Sequence, residues 1–196
     1  MYSHLQNYRV VLASNSPRRQ TLLRELGVNF TVEPSKGDEH YPASLKSTDV
    51  AEFLALQKAD WFTNFEHNEL YLTADTVVVL GEEVLGKPKD KAEAKEILRK
   101  LSGNTHEVIT GMCIKSKRKQ KSFSVLTEVV FKVLTDEEIN FYVNTYKPFD
   151  KAGAYGIQEW IGMIGITEIH GSYFNVVGLP TEKLFKQLQI FCENQN

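Results

Sequence analysis

The stretch VVLASNSPRRQTLLRELG, residues 10–27, decides how the chain is read. Val10 to Ala13 is a short, wholly apolar run and predicts a buried strand. Ser16 stands where a helix N-cap belongs, with Pro17 at the first helical position. Leu22, Leu23 and Leu26 continue a helical stripe, and Gly27 ends it. A strand, a tight turn and a helix start make an anion cradle, because a helix N-terminus carries unpaired N–H groups and partial positive charge. Arg18 and Arg19 worsen the electrostatics of that end unless an anion comes to them. Ser14, Ser16 and the backbone N–H groups can donate to its oxygens, and the two guanidinium groups have the fork geometry that suits phosphate. The phosphate loop pattern G-x-x-x-x-G-K-[ST] is absent. Taken alone, the stretch is equally a capped helix with solvated arginines.

Moving outward, VNFTVEP predicts a second strand, and SKGDEHYPASLKS, residues 35–47, a polar loop. Thr48 or Asp49 can cap a second helix along which Val50, Phe53, Leu54, Gln57 and Lys58 march. TADTVVVLGEEVLGKP, residues 73–88, reads as a hairpin around Gly81-Glu82-Glu83, with Asp75 and Thr76 near the start of its first strand. Asp90 caps a helix that Gly103 closes, and two longer strands then bracket the basic tip KRKQK, residues 117–121. Thr135 and Glu138 have capping-box spacing. KPFDKAGAYGIQEW is glycine-rich and irregular, MIGITEIHG and SYFNVVGLP predict strands, and a last helix runs from Thr181 to about Cys192. Early alternation and an antiparallel middle predict a mixed, twisted sheet with helices on both faces.

The 196 residues, 42% hydrophobic and 24% charged, suffice for a core without disulfides or structural metal, in one domain over 1–196 or two small lobes sharing a cleft. A net charge of −2 gives no global nucleic-acid footprint, so any anion site is local. Cys113 and Cys192 form no C-x-x-C pair and have no histidine at ligand spacing, as for thiols in a reducing compartment. MYSHLQNYRVVLAS, residues 1–14, lacks the pattern of a signal peptide, and no apolar run reaches transmembrane length. A cytoplasmic location, with no membrane partner, is the expectation.

Several further residues can carry chemistry. An acid such as Asp75 is unusual in an apolar strand, and it can bind Mg²⁺ or take a proton from water. Lys87, fixed between Gly86 and Pro88, suits a phosphate or a leaving group; the plain alternative is a turn lysine beside a capping aspartate. Glu39 in its loop and Lys58 on its helix are weak signals, since such groups are usually solvated or snorkelling. In DKAGAYGIQ, residues 150–158, glycines allow close backbone approach, and Gln158 offers one amide donor and one acceptor, the match to the imide edge of uracil or thymine. The stretch is equally a structural glycine loop. The basic tip KSKRKQK has no interleaved aromatic residues and reads first as a solvated hairpin end. His106 and His170 have no metal-ligand spacing.

Taken together, LASNSPRR (12–19), TADTVV (73–78), GKP (86–88), LSGNTHEVITG (101–111), DKAGAYGIQ (150–158) and GSYFNVVGLP (171–180) resemble the Maf family of nucleotide pyrophosphatases, in order and over nearly the whole chain. The resemblance implies an α/β fold with a strongly twisted mixed sheet flanked by helices, two lobes and a central cleft. It implies hydrolysis of nucleoside triphosphates between the α and β phosphates, with a divalent metal, Mg²⁺ or Mn²⁺. It assigns Asp75 as the catalytic base and ties Arg18, Thr76 and Gln158 to base preference. Glu39, Lys58 and Lys87 also match family positions; Glu39 and Asp75 are then the metal residues, while Ser14, Ser16 and Arg19 join the substrate set. The Arg/Thr/Gln combination resembles the branch acting on dTTP, UTP and modified pyrimidine triphosphates, and a sister branch prefers 7-methyl-GTP. A homodimer is implied, and no stable nucleic-acid partner. The competing class is a non-enzymatic cell-division regulator or nucleic-acid binder acting through the basic tip.

Overall fold

A computed structural model describes residues 5–37, 39–66 and 68–193. The opening stretch folds as its pattern dictates. The strand β1 (Arg9–Leu12) runs into the core, and the helix α1 (Pro17–Glu25) leaves it, capped by Ser16, whose hydroxyl accepts the Arg19 N–H. Gly27, with φ of 83°, takes the chain out of the helix. The strand expected in VNFTVEP shrinks to β2 (Thr31–Val32), which pairs parallel with β1 over two residues.

A 3₁₀ turn, Ser47–Asp49, leads into α2 (Val50–Asp60). Neither Thr48 nor Asp49 caps it through a side chain, because Asp49 is itself helical and its carboxylate cannot turn back to the first free N–H groups. The long strand β3 (Glu69–Leu80) follows, then β4 (Glu83–Leu85) across a two-residue turn, where Gly81 has φ of 63°. The helix α3 (Lys91–Leu101) is capped by Asp90, and β5 (Thr105–Ser116) and β6 (Gln120–Phe131) form the long hairpin. The helix α4 (Asp136–Tyr146) opens with a complete Thr135/Glu138 capping box.

The chain then departs from expectation. Trp160–Gly165 is a short helix, α5, before β7 (Ile166–His170), and Tyr173–Val177 is α6 where a strand was expected. Aromatic and β-branched side chains favour strands. Here the Ser172 hydroxyl accepts the Asn175 N–H, and the Asn175 amide donates to Val108 O and Thr127 Oγ1, so buried hydrogen bonds override propensity. The helix α7 (Thr181–Glu193) closes the chain.

Among the described residues, seven strands form one mixed sheet in the order β2-β1-β3-β5-β6-β7, with β4 added to β3. Strand β1 is parallel to β2 and β3, and the other pairs are antiparallel. Helix α2 covers one face through Val50, Ala51 and Leu54, against Val77, Val79 and Ile109. The opposite face carries two cores. Leu70, Leu72 and Ala74 pack with α1 and α7, whereas Val78 and Val108 pack with α3, α4 and α5. Between those two cores the sheet turns polar, at Thr76 and Thr110.

Candidate active site

Strand β3 makes the site possible. On one edge β1 pairs with Glu69–Leu72 and β4 with Val78–Leu80. Residues 73–77 have no strand partner on that edge among the described residues, and a cleft opens there. Asp75 and Thr76 lie in this gap. Asp75 was expected near a strand start; it sits mid-strand opposite Gly111, because pairing with β1 extends β3 back to Glu69.

The cleft has a volume of about 390 Å³. Ser14, Ser16, Arg18, Arg19, Glu39, Lys58, Asp75, Thr76, Lys87 and Gln158 all line it, so the structure brings together every site residue expected from the sequence.

On the α2 side, Lys58 is only 8% exposed and its ammonium lies between two carboxylates. It donates to Asp75 Oδ1 at 2.5 Å and pairs with Glu39 Oε1 at 3.0 Å. Two features hold the lysine there. Thr73 Oγ1 donates to Ala55 O at 2.6 Å, tying β3 to α2 one turn before Lys58. Gly111 lets the helix approach: a Cβ there would stand 2.2 Å from the Ala51 carbonyl carbon. Partial burial works against the Glu39 charge. The Lys58 ammonium, aided by Lys87 and Arg19, outweighs it and holds that carboxyl below the usual range. Asp38, the neighbour of Glu39, lies outside the described residues.

On the cradle side, Ser14 Oγ accepts the Ser16 N–H at 3.2 Å and Arg19 Nη1 at 3.3 Å. A hydroxyl has two acceptor sites and one proton, so the proton is what Ser14 has left to give. Arg19 also donates from Nε to Gly178 O at 2.9 Å and from Nη2 to Thr76 Oγ1 at 3.0 Å. Gly178, with φ of 122°, turns that carbonyl toward it. Thr110 donates its proton to Asn175 O, so in the 2.9 Å Thr76–Thr110 contact Thr76 is the donor. Arg18 reaches across the cleft to Asp150 Oδ2 at 2.8 Å. Lys87 is exposed on the rim, where Gly86 O accepts the Gly153 N–H and joins the hairpin to the loop that carries Gln158.

A family model described as "Maf-like protein" matches residues 9–191. The chain belongs to the Maf family. It is 50% identical over 191 residues to a Phocaeicola vulgatus protein named dTTP/UTP pyrophosphatase, covering 96% of this chain and 99% of the relative. A Flavobacterium psychrophilum protein of the same name is 51% identical over 184 residues, covering 93% of this chain and 94% of the relative. A solved HAM1 protein from Coxiella burnetii shares the fold at 15% identity, with a TM-score of 0.51 over 93% of this chain and 99% of that one.

This Maf chain also brings to its cleft residues that pattern reading passed over. Lys151 is buried, and it pairs with Asp150 at 2.7 Å and Glu159 at 3.1 Å. The Tyr142 hydroxyl donates to Glu159 and accepts the Gly156 N–H, which fixes the loop around Gln158. Asn175 lay within a quoted motif, but its buried role needs the helix that propensity did not give. His106 is a core residue: its Nε2 meets the Tyr155 hydroxyl at 2.7 Å, and burial lowers its pKa to about 4. Burial also raises the thiols, Cys113 to about 12 and Cys192 to about 11. In the basic tip, Lys119 donates to Phe191 O at 3.0 Å, fastening the end of α7.

The described residues include no cluster of three or more His, Cys, Asp or Glu placed to hold a metal. Mg²⁺ is commonly held by one or two carboxylates together with substrate phosphates. Glu39 and Asp75 already share one cation, the Lys58 ammonium, and their hard oxygens suit Mg²⁺ or Mn²⁺. The donor set therefore fits a divalent ion. No helix among the described residues is long and apolar enough to cross a membrane.

Proposed function

We propose that this chain is a nucleoside triphosphate pyrophosphatase that converts dTTP and UTP, and modified pyrimidine triphosphates, to the monophosphate and pyrophosphate. The observation that carries the reading is the Asp75–Lys58–Glu39 cluster facing the Ser14–Arg19 cradle across one cleft. The name shared by relatives of about half identity supports it. A volume near 390 Å³ lies within the range of small-ligand sites.

In this mechanism Ser14, Ser16, Arg18, Arg19 and Lys87 hold the triphosphate. Lys58 orients Asp75 through its hydrogen bond to Oδ1. Asp75 aims a water and takes its proton as the oxygen attacks the α-phosphorus. The bond from that phosphorus to the bridging oxygen breaks, and pyrophosphate leaves with the electron pair. The arginines and lysines neutralise the charge that develops on it, the kind of fixed electrostatic term that dominates phosphoryl transfer. A divalent metal held by Glu39 and Asp75, when bound, supplies further neutralisation of phosphate oxygens. Gln158 pairs its amide with the imide edge of the base. Arg18 and Thr76 complete the base-preference set, Thr76 by fixing Arg19.

Residues 1–196 act as one catalytic domain, which the single continuous sheet supports. Ile169 on terminal strand β7, with Met163, 73% exposed, on α5 and Tyr173 on α6, supports a homodimer. Nucleoside triphosphates are cytoplasmic metabolites, which supports a cytoplasmic site of action. A panel of nucleoside triphosphates, assayed for pyrophosphate release with Mg²⁺ or Mn²⁺, tests the reading. Turnover of dTTP and UTP above CTP and 7-methyl-GTP is expected. Turnover of 7-methyl-GTP alone, or of no nucleotide, overturns it.

A further inference from the structure

Glu39 stands on a long, largely exposed loop, yet its carboxylate reaches a buried lysine. Two contacts from α2 explain how. The Gln57 side chain grips the backbone of His40 at both ends: its amide nitrogen donates to His40 O at 3.0 Å, and its oxygen accepts the His40 N–H at 3.3 Å. On the other side of Glu39, Gly37 lies flat on the Trp61 indole, where a Cβ would stand 2.3 Å from Cζ2. Gln57 and Trp61 are four residues apart and so share one face of the α2 end, with Lys58 beside them. Both are half-buried, and neither lines the cleft.

We propose that Gln57 and Trp61 are positioning residues that clamp His40 and Gly37, on either side of Glu39, onto α2, and that this clamp sets the fraction of molecules in which Glu39 faces Lys58 and Asp75. The apparent affinity for a divalent ion then scales with that fraction, because a ligand binds only the competent state. The inference rests on Glu39 being a metal residue, as proposed above. A side chain at position 37 would collide with the indole, so either the backbone there or the Trp61 ring must shift. Gln57 is required for its length and its amide, which matches a backbone N–H and C=O together.

The test uses the full chain with Gln57→Met, which keeps length and loses both hydrogen bonds, and with Gly37→Ala as an independent disruption. Two quantities are read: the rate of tryptic cleavage after Lys36, mapped by mass spectrometry, and the Mn²⁺ concentration giving half-maximal UTP hydrolysis. Both are expected to rise ~5- to 10-fold, in line with losing one or two exposed hydrogen bonds, while turnover at saturating Mn²⁺ stays within about twofold. Glu39→Gln separates the two claims. It should raise the Mn²⁺ requirement while speeding cleavage after Lys36 less than Gln57→Met does, since the ion pair it removes is half-exposed. If Glu39→Gln leaves the Mn²⁺ requirement unchanged, the metal assignment fails, and the cleavage rates still decide the clamp. If Glu39→Gln weakens metal activation but Gln57→Met changes neither quantity, the clamp is refuted.

Discussion

Replacing Lys58 by Met preserves the length of a side chain that is 8% exposed but removes the cation shared by Asp75, 14% exposed, and Glu39, 43% exposed. Taking one partner from a buried ion pair costs ~3–5 kcal/mol. An exposed pair is worth ~0–1 kcal/mol, which discounts the Glu39 share. The cleft admits water, so the net loss should be about 2–3 kcal/mol, most of it from Asp75. At ~2–4 °C per kcal/mol for a chain of this size, Tm falls by roughly 4–12 °C. The pH dependence has a fixed sign. The Glu39 carboxyl is depressed in the folded state, so its contribution is present above its unfolded pKa of ~4.3 and is lost as pH falls through the folded value. The Glu39 share of the gap between wild type and variant, followed by circular dichroism melts, should therefore be full near neutrality and shrink only as pH falls below ~4.3. Two carboxylates left facing each other also make a better cation site, so Mn²⁺ should raise Tm more in the variant than in wild type. Equal Tm values at neutral pH, or a gap that widens on acidification, would refute the reasoning.

Asp75→Asn keeps shape and removes charge and basicity; turnover of UTP, measured well below the lowered melting temperature that loss of the Lys58 partner brings, should fall at least ~10²-fold. Near-normal activity would put the base elsewhere. Gln158→Glu removes the amide donor, so the preference for UTP over CTP, measured as a ratio of kcat/KM values, should collapse; an unchanged ratio sinks the base-reading role. Gly111→Ala drives a Cβ into the Ala51 backbone, 2.2–2.3 Å away, which α2 can relieve only by shifting. Overpacking costs ~1–3 kcal/mol, and a backbone collision belongs at the upper end, so Tm should drop by roughly 6–12 °C and activity should fall with it as Lys58 moves.

Local chemistry was legible in the sequence wherever one motif sufficed. Ser16-Pro17, the Gly81 turn and the Thr135/Glu138 box each encode their own backbone, and all three form. Eight of the ten expected cleft residues were legible through motifs none of which was decisive singly, whereas Glu39 and Lys58 lie outside every motif and stood out only through the family resemblance. Elements whose form depends on distant partners were not. β3 begins at Glu69 because β1 pairs with it, and α6 is a helix because Asn175 bonds Val108 and Thr127. The Arg18–Asp150 pair joins residues 132 apart in sequence, and no periodicity encodes that. Lys151 likewise resembles any loop lysine until folding buries it between Asp150 and Glu159.

The central claim is that Asp75 aims water at the innermost phosphorus of the triphosphate. Hydrolysing UTP in ¹⁸O-labelled water and weighing both products by mass spectrometry tests it directly. The account predicts the heavy oxygen in the nucleoside monophosphate and none in the pyrophosphate. Label in the pyrophosphate would mean attack at the β-phosphorus and would contradict it.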